Sequence, residues 1–338
     1  MRAALLLRIE VVEGIPMRAV CVIGLGLIGG SVLRAATAAG RAGWGATSSD
    51  SDAEAARAAG FEVLAAEQAL RRAADEDALV VVATPLTAVR EVLRQAAWHA
   101  PDVRLTDVVG VKDPVATEVR QLLPGARYAG GHPMAGVAES GWRAGSAELF
   151  RGAAWAVAVE EETTVDAWVE AASLALDCGA NPVPATAAEH DSAVARVSHL
   201  PHVFAAILSA VGADGGPLAL SLAAGSFRDG TRVAGSDPEL VRAMAEGNRE
   251  ALLDAVDDAL GRLGAARGAL ASTGSLKSTV DSGAAGREAL TALRAGEPRR
   301  TTLELRSRSS LESLRQLGDR GGRVVSLEDN TAVVELPE

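Results

Sequence analysis

The most constraining stretch of the chain is residues 18–39. Arg18-Ala19-Val20-Cys21-Val22-Ile23 reads as a short buried strand. Gly24-Leu25-Gly26-Leu27-Ile28-Gly29-Gly30-Ser31 follows, and then the Ala-rich helical run Val32–Ala39. In a strand, G-x-G-x-x-G, helix unit, the first glycine makes a tight turn. The second lets a pyrophosphate approach the backbone, and the third lets helix pack on strand. The helix N-terminus offers free N–H groups and the positive end of its dipole to phosphate. A Rossmann-type sheet is therefore expected, with Gly24, Gly26, Leu27, Ile28 and Gly29 at a dinucleotide.

A second strand, Trp44–Thr47, should end beside the adenosine ribose. An acidic residue there marks NAD, and a nearby arginine marks NADP. The strand ends in Thr47-Ser48-Ser49-Asp50, and no arginine occurs between 42 and 56. Asp50 lies 21 residues after Gly29 but falls past the strand end. Thr47 and Ser48 are expected at the ribose, and the choice between NAD and NADP stays open. Residues 79–83 form the cleanest buried strand, closed by Thr84-Pro85 at the carboxyl end of the sheet, on the nicotinamide side. Strands at 103–107, 126–129 and 154–159 alternate with helices at 52–59, 86–98, 113–122 and 165–178. That alternation predicts an α/β, doubly wound parallel sheet over residues 17–183. Asp107 and Lys112, beyond the fifth strand, read equally as a functional pair or a local ion pair.

Residues 130–142 run Gly130-Gly131-His132-Pro133-Met134-Ala135-Gly136-Val137-Ala138-Glu139-Ser140-Gly141-Trp142. Glycines bring the backbone close to a ligand and proline stiffens the turn. A histidine so held could transfer a proton, or could be a structural corner.

After Pro184 the pattern becomes helical, which marks a second, all-α domain over 184–275. Its first helix carries Glu189-His190-Asp191 and Ser198-His199-Leu200-Pro201-His202. Asp191 and His202, 11 residues apart, should share a face, and His199 and His202 are neighbours. Pro201 should kink the helix. The H-x-x-H pair lacks further ligands at metal-binding spacing, so no metal is expected. Gly225–Arg232 brings two arginines into an Ala-rich region, and arginine suits bidentate carboxylate binding. Helix 249–271 could bury surface between subunits. A Gly/Ser-rich stretch places a linker at 276–298, and residues 299–338 read as a βαββ tail. The tail is too small for its own core and must dock on the body or on another chain.

The net charge of −11 argues against nucleic acid, which needs a basic footprint. Residues 1–16 read as an upstream extension without a signal peptide's pattern, and no long apolar run predicts a membrane span. Cys21 and Cys178 form no disulfide framework, which suits a reducing cytoplasm.

Gly24–Ser31, Thr106-Asp107, Val111-Lys112, Gly130–Gly136, Ser140-Gly141-Trp142, Ser198–His202 and Gly225–Pro238 together resemble the prephenate/arogenate dehydrogenases of tyrosine biosynthesis, closest to actinobacterial members. The resemblance covers roughly residues 18–275. It implies a cytoplasmic homodimer, joined through the helical domain, that oxidatively decarboxylates prephenate or arogenate with NAD or NADP. It assigns His132 as the catalytic base, Arg232 to a substrate carboxylate, and His202 and His199 to substrate contacts. This chain departs from many relatives at Gly110, where they have serine, and at Ala138, where they have glutamate. Those departures keep two further readings in view: an amino-prephenate dehydrogenase of secondary metabolism, and a dinucleotide sensor that has lost the chemistry. A β-hydroxyacid dehydrogenase ranks lower, because it needs a lysine on the first helix after the sheet, where this chain has His199.

Overall fold

The computed structural model describes residues 17–137 and 139–337. The expected extension at 1–16 lies outside them, as does Ala138. The first half is built from β1 (Val20–Ile23), α1 (Leu27–Ala38), β2 (Gly43–Ala46), α2 (Asp50–Ala58), β3 (Glu62–Val63), α3 (Ala66–Asp75) and β4 (Leu79–Val82). Next come α4 (Leu86–His99), β5 (Arg104–Asp107), α5 (Asp113–Leu122), β6 (Arg127–Tyr128), β7 (Gly131–Pro133), β8 (Ala154–Ala158), α6 (Val165–Asp177) and β9 (Asn181–Ala185).

Six strands form one parallel sheet in the order β3-β2-β1-β4-β5-β6, the Rossmann order. Side chains alternate between two cores, as period-2 strands require. Val20, Val22, Leu79 and Val81 pack towards α1 and α6. Cys21, Ile23, Val80, Val82 and Leu105 pack towards α3, α4 and α5. Such apolar runs form strands because both faces are covered.

The strand expected at 154–159 does not extend this sheet. It is β8, the centre of a second sheet ordered β7-β8-β9. β7 carries His132 antiparallel to β8, and β9 lies parallel on the other side. The stretch around His132, expected as a turn, is thus a short strand. β9, with the sequence Asn-Pro-Val-Pro-Ala, was not expected. It tolerates Pro182 and Pro184 because it is an edge strand. The Asn181 amide donates to the Ala153 carbonyl at 2.8 Å, and the prolines alternate onto the unpaired side.

The helical part comprises α7 (Ala187–Val194), α8 (Leu200–Asp214), α9 (Gly216–Ser221), α10 (Gly225–Thr231), α11 (Pro238–Gly247), α12 (Arg249–Ser272) and α13 (Lys277–Ala295). A capping box formed by Thr186 and Glu189 starts α7. Between α7 and α8 the ladder widens into a π turn over Ala195–His199. Pro201 lies just beyond it, so its missing N–H falls where the ladder is already open. Helix Ala187–Asp214 is, by length and composition, apolar enough to cross a membrane. Its first half is packed against the nucleotide-binding half, with His190, Asp191, Val194 and His199 buried. The linker expected at 276–298 is instead helical over Lys277–Ala295. Alanines outweigh two interior glycines there, and Lys277 pairs with Asp281 one turn on.

The tail folds as β10 (Arg299–Glu304), α14 (Arg308–Asp319), β11 (Arg323–Glu328) and β12 (Thr331–Leu336), with sheet order β10-β12-β11. It docks on the body: Leu311, Leu314, Leu317 and Val324 join the core that holds Trp168 and β8.

Candidate active site

The turns after β1, β4 and β5 lie along the carboxyl edge of three neighbouring parallel strands. The strand order reverses between β1 and β4, where ligands of doubly wound sheets bind. Gly24 has φ of 104°, and a Cβ there would lie 2.5 Å from the Ala83 carbonyl oxygen. Only glycine fits that position. A Cβ at Gly26 would meet open space. Gly26 opens α1 without a side-chain cap, so the amides of Leu27, Ile28 and Gly29 face outward with no intrahelical acceptor. Thr84 stands against Gly24, and its buried hydroxyl has no partner among the described residues. An open glycine turn, uncapped amides and an orphaned hydroxyl fit a dinucleotide. Pro85 is the N-cap of α4 on the same edge. At the ribose end β2 stops at Ala46; Thr47 is half-buried and Ser48 exposed. Ser49 caps α2, and Asp50 is its first residue.

β7 is tied to the sheet by a buried ion pair. The Lys112 ammonium donates to Asp107 Oδ1, and at 2.6 Å to the Gly131 carbonyl, the residue before His132. Tyr128 donates to Asp107 Oδ2 at 2.7 Å, and the Val109 amide to Oδ1 at 2.9 Å. Burial pulls the Lys112 ammonium below its usual range, against the pull of Asp107. Asp107 and Lys112 thus act as the local ion pair, and they set the height of His132.

Past His132 the chain crosses back over α1. The Trp142 amide donates to Asp52 at 2.8 Å, and the Ser146 amide to Ser31 Oγ at 3.0 Å. The Arg34 guanidinium lies 3.5 Å above the Trp142 ring. The loop after His132 is therefore pinned to both α1 and α2.

His132 is half-buried. Burial first, then His190, Lys112 and His199, hold its imidazole well below the usual 6.5. It is neutral at neutral pH. A Cβ at Gly110 would lie 3.7 Å from His132 Nε2, in ordinary contact. The glycine therefore leaves room for a methyl group beside that nitrogen. On the other side, His132 Nδ1 is 2.8 Å from His190 Nε2. His190 Nδ1 is 2.7 Å from Asp191 Oδ1. Asp191 also accepts the Lys112 amide at 2.8 Å and the Asp113 amide at 2.9 Å, which clamps α7 to the start of α5. Burial raises the Asp191 carboxyl, but the bonds from His190 and the two amides outweigh it and hold it below the usual range.

Asn248, where α11 meets α12, spends its amide on the same region. It donates to the Asp191 carbonyl at 2.7 Å and approaches His199 Nδ1 at 3.2 Å. Burial takes the His199 imidazole down to about 4. His202 is half-buried, and its Nδ1 donates to the Ser198 carbonyl at 2.8 Å. The face expected to pair Asp191 with His202 instead gives Asp191 to His190. The π turn between them shifts the helical phase. Arg232 is exposed at the start of a 3₁₀ turn, Arg232–Gly235, which packs on α8; it has no side-chain partner among the described residues. The fold brings His132, His199 and the glycine turn to one region, and leaves Arg232 unconnected to them by any hydrogen bond among the described residues. His190, Asp191 and Asn248 were not among the expected site residues. The adjacent acid and histidine in Glu189-His190-Asp191 were the available signal. No group of three or more metal-ligating side chains occurs among the described residues.

The fold and this edge define a two-domain, Rossmann-type nucleotide-binding protein. Residues 35–183 match the family model described as prephenate dehydrogenase, nucleotide-binding domain. Residues 186–275 match prephenate dehydrogenase, dimerization domain. A candidate prephenate dehydrogenase from Corynebacterium glutamicum is similar in structure, with a TM-score of 0.85 and 43% identity, over 90% of this chain and 98% of that one. A Synechocystis arogenate dehydrogenase has a TM-score of 0.70 and 29% identity, over 80% of this chain and 99% of that one. A Bacillus subtilis prephenate dehydrogenase is 33% identical over 70% of this chain, and the match spans 65% of that relative's length. The chain belongs to the prephenate dehydrogenase family.

Proposed function

We propose that this protein is an NAD- or NADP-dependent prephenate dehydrogenase, making 4-hydroxyphenylpyruvate for tyrosine biosynthesis in the cytoplasm. The observation that supports this most is a neutral His132 whose Nε2 faces an open gap beside Gly110, on the edge where the glycine turn would hold a dinucleotide. The bound cofactor supplies the hydride acceptor for the ring carbon that bears the 4-hydroxyl. His132 Nε2 accepts a hydrogen bond from that hydroxyl and takes its proton as the C–O bond becomes a carbonyl. The ring carboxylate then leaves as CO₂, its C–C electrons aromatise the ring, and the phenolate oxygen takes a proton back. Arg232 holds a substrate carboxylate, and His202 and His199 add polar contacts from the helical domain. Gly24, Gly26, Leu27, Ile28 and Gly29 cradle the pyrophosphate, Thr84 and Pro85 border the nicotinamide, and Thr47 and Ser48 meet the ribose.

The functional unit in this reading is a homodimer built through the helical domain. The domain leaves Phe204, Ile207 and Val211 of α8 and Leu260 and Leu263 of α12 exposed, which is supporting evidence for a covering copy. Neither a nucleic acid nor a membrane partner enters it.

A second reading, arogenate dehydrogenase, is favoured by the similarity to the Synechocystis enzyme. Initial rates with prephenate or arogenate, each with NAD⁺ or NADP⁺, test both. Turnover of prephenate is expected. Turnover of arogenate alone selects the second reading. Silence with all four pairs, with dinucleotide still binding by calorimetry, overturns both.

A further inference from the structure

His190 and Asp191 have no role in the family assignment, yet they form an unbroken line behind the reacting nitrogen. The distances are 2.8 Å from His132 Nδ1 to His190 Nε2 and 2.7 Å from His190 Nδ1 to Asp191 Oδ1. Asp191 is fixed at the far end, because its two oxygens accept the Lys112 and Asp113 amides. His190 and Asp191 are themselves buried.

Hydrogen-bonding capacity orders the protons along this line. A carboxylate that accepts two backbone N–H groups has no hydrogen to give. The proton between His190 and Asp191 therefore sits on His190 Nδ1. An imidazole that carries one hydrogen, on Nδ1, has a bare Nε2, which is free to accept from His132 Nδ1. His132, held neutral by burial, then carries its hydrogen on Nδ1 and presents Nε2 as a lone pair. Nε2 is the nitrogen that faces the gap at Gly110.

We infer that His190 and Asp191 are positioning residues that fix the tautomer of His132, so that only its unprotonated Nε2 meets the substrate. The inference rests on the reading of His132 as the base, but the tautomer itself can be observed without turnover. Once Nε2 takes the hydroxyl proton, the His132 cation keeps donating through Nδ1, and the Asp191 charge compensates it through His190. The control is contributed from α7 of the helical domain to a base carried by the nucleotide-binding half. The base is thus correctly protonated only when α7 is docked.

The test is ¹⁵N NMR of the full-length protein labelled at its five histidines, with His132→Asn used to assign the His132 signals. The expected spectrum near neutral pH has a proton on His132 Nδ1 and none on Nε2. A His132 protonated on Nε2, or an even mixture, overturns the proposal without any variant of the relay having to fold. In kinetics, His190→Leu should lower kcat roughly 100-fold, the lower end for a misprotonated general base, with KM little changed. His190→Gln, whose side-chain oxygen can still accept from His132 Nδ1, should recover most of that loss. A His190→Leu variant with parental kcat overturns the role. If His132→Asn turns over at the parent's rate, the base reading fails instead, and the NMR result separates the two failures.

Discussion

Two histidines, His132 and His199, are folded into environments that favour the neutral ring. Burial is the main cause for both; it takes His199 to about 4 and His132 well below 6.5. An unfolded imidazole binds its proton near ~6.5. Below that pH the unfolded chain takes up protons that the folded chain refuses, so stability falls as pH falls. The contribution is full above pH ~6.5 and is lost progressively towards the folded value, about 4 for His199. The urea midpoint should therefore be lower at pH 5 than at pH 7.5, and His199→Asn should flatten the difference. An equal midpoint at the two pH values would refute the assignment. For the same reason, the acid limb of kcat/KM should lie below the ordinary histidine range. Gly110 carries the other prediction at this scale. A Cβ fits there at 3.7 Å from His132 Nε2, but the methyls of valine would fill the gap in front of it. Gly110→Val should fold normally and bind dinucleotide as the parent does. It should lose about 100-fold in kcat/KM, read from initial rates. The glycine turn, Thr84 and His132 were legible as candidates because each motif is local. The relay was not, because His190 stands 58 residues from His132 and meets it only through the docking of α7.

β9 and α14 show where element-level legibility ends. β1 and β4 announce themselves as short β-branched runs covered on both faces; β3, only Glu62-Val63, does not. β9 does not, because Pro182 and Pro184 argue against a strand unless the open edge is known. That edge is set by β8 on one side and by the tail on the other, neither of which is local information. The tail's docking depends on Gly318 of α14, where a Cβ would overlap the Pro184 carbonyl oxygen. Gly283 of α13 is the converse, since a Cβ there meets nothing within 4 Å. One substitution type should thus act with opposite sign. Gly318→Ala should destabilise by about 1–3 kcal/mol, as an overpacked contact does. Gly283→Ala should stabilise by about 0.5–1 kcal/mol through helix entropy. Denaturant midpoints of the two variants check both; a neutral Gly318→Ala would mean that α14 does not rest on β9. α13 resembles a linker in sequence for a related reason. Its glycines and serines are linker-like in composition, while its alanines at helical spacing carry the structure.

At the scale of the whole molecule, the two halves solve the burial problem differently. The nucleotide-binding half covers both faces of its sheet and recruits the tail to finish one core. The helical half does not close on itself: among the described residues, α8 and α12 each bury a single alanine, Ala205 and Ala255, and α13 buries none. Helices of 15 to 24 residues that keep this much leucine and valine in water gain little from tertiary packing. A second copy laid against α8 and α12 would supply the missing partner, and the groove between them already presents Leu200, Phe204 and Leu263. Sedimentation at micromolar concentration should give twice the 34.5 kDa chain mass. Val211 and Leu263 are 63% and 59% exposed in the single chain, so a charge at either costs little there. In a packed interface the same charge would be buried without a partner, a penalty of several kcal/mol. Val211→Asp with Leu263→Asp should therefore shift the protein to monomer and lower its thermal midpoint, while dinucleotide still binds to the intact Rossmann half. A double variant that stays dimeric would place the contact on another face. A parent that sediments as a monomer would mean that these helices are stable with their apolar sides in water.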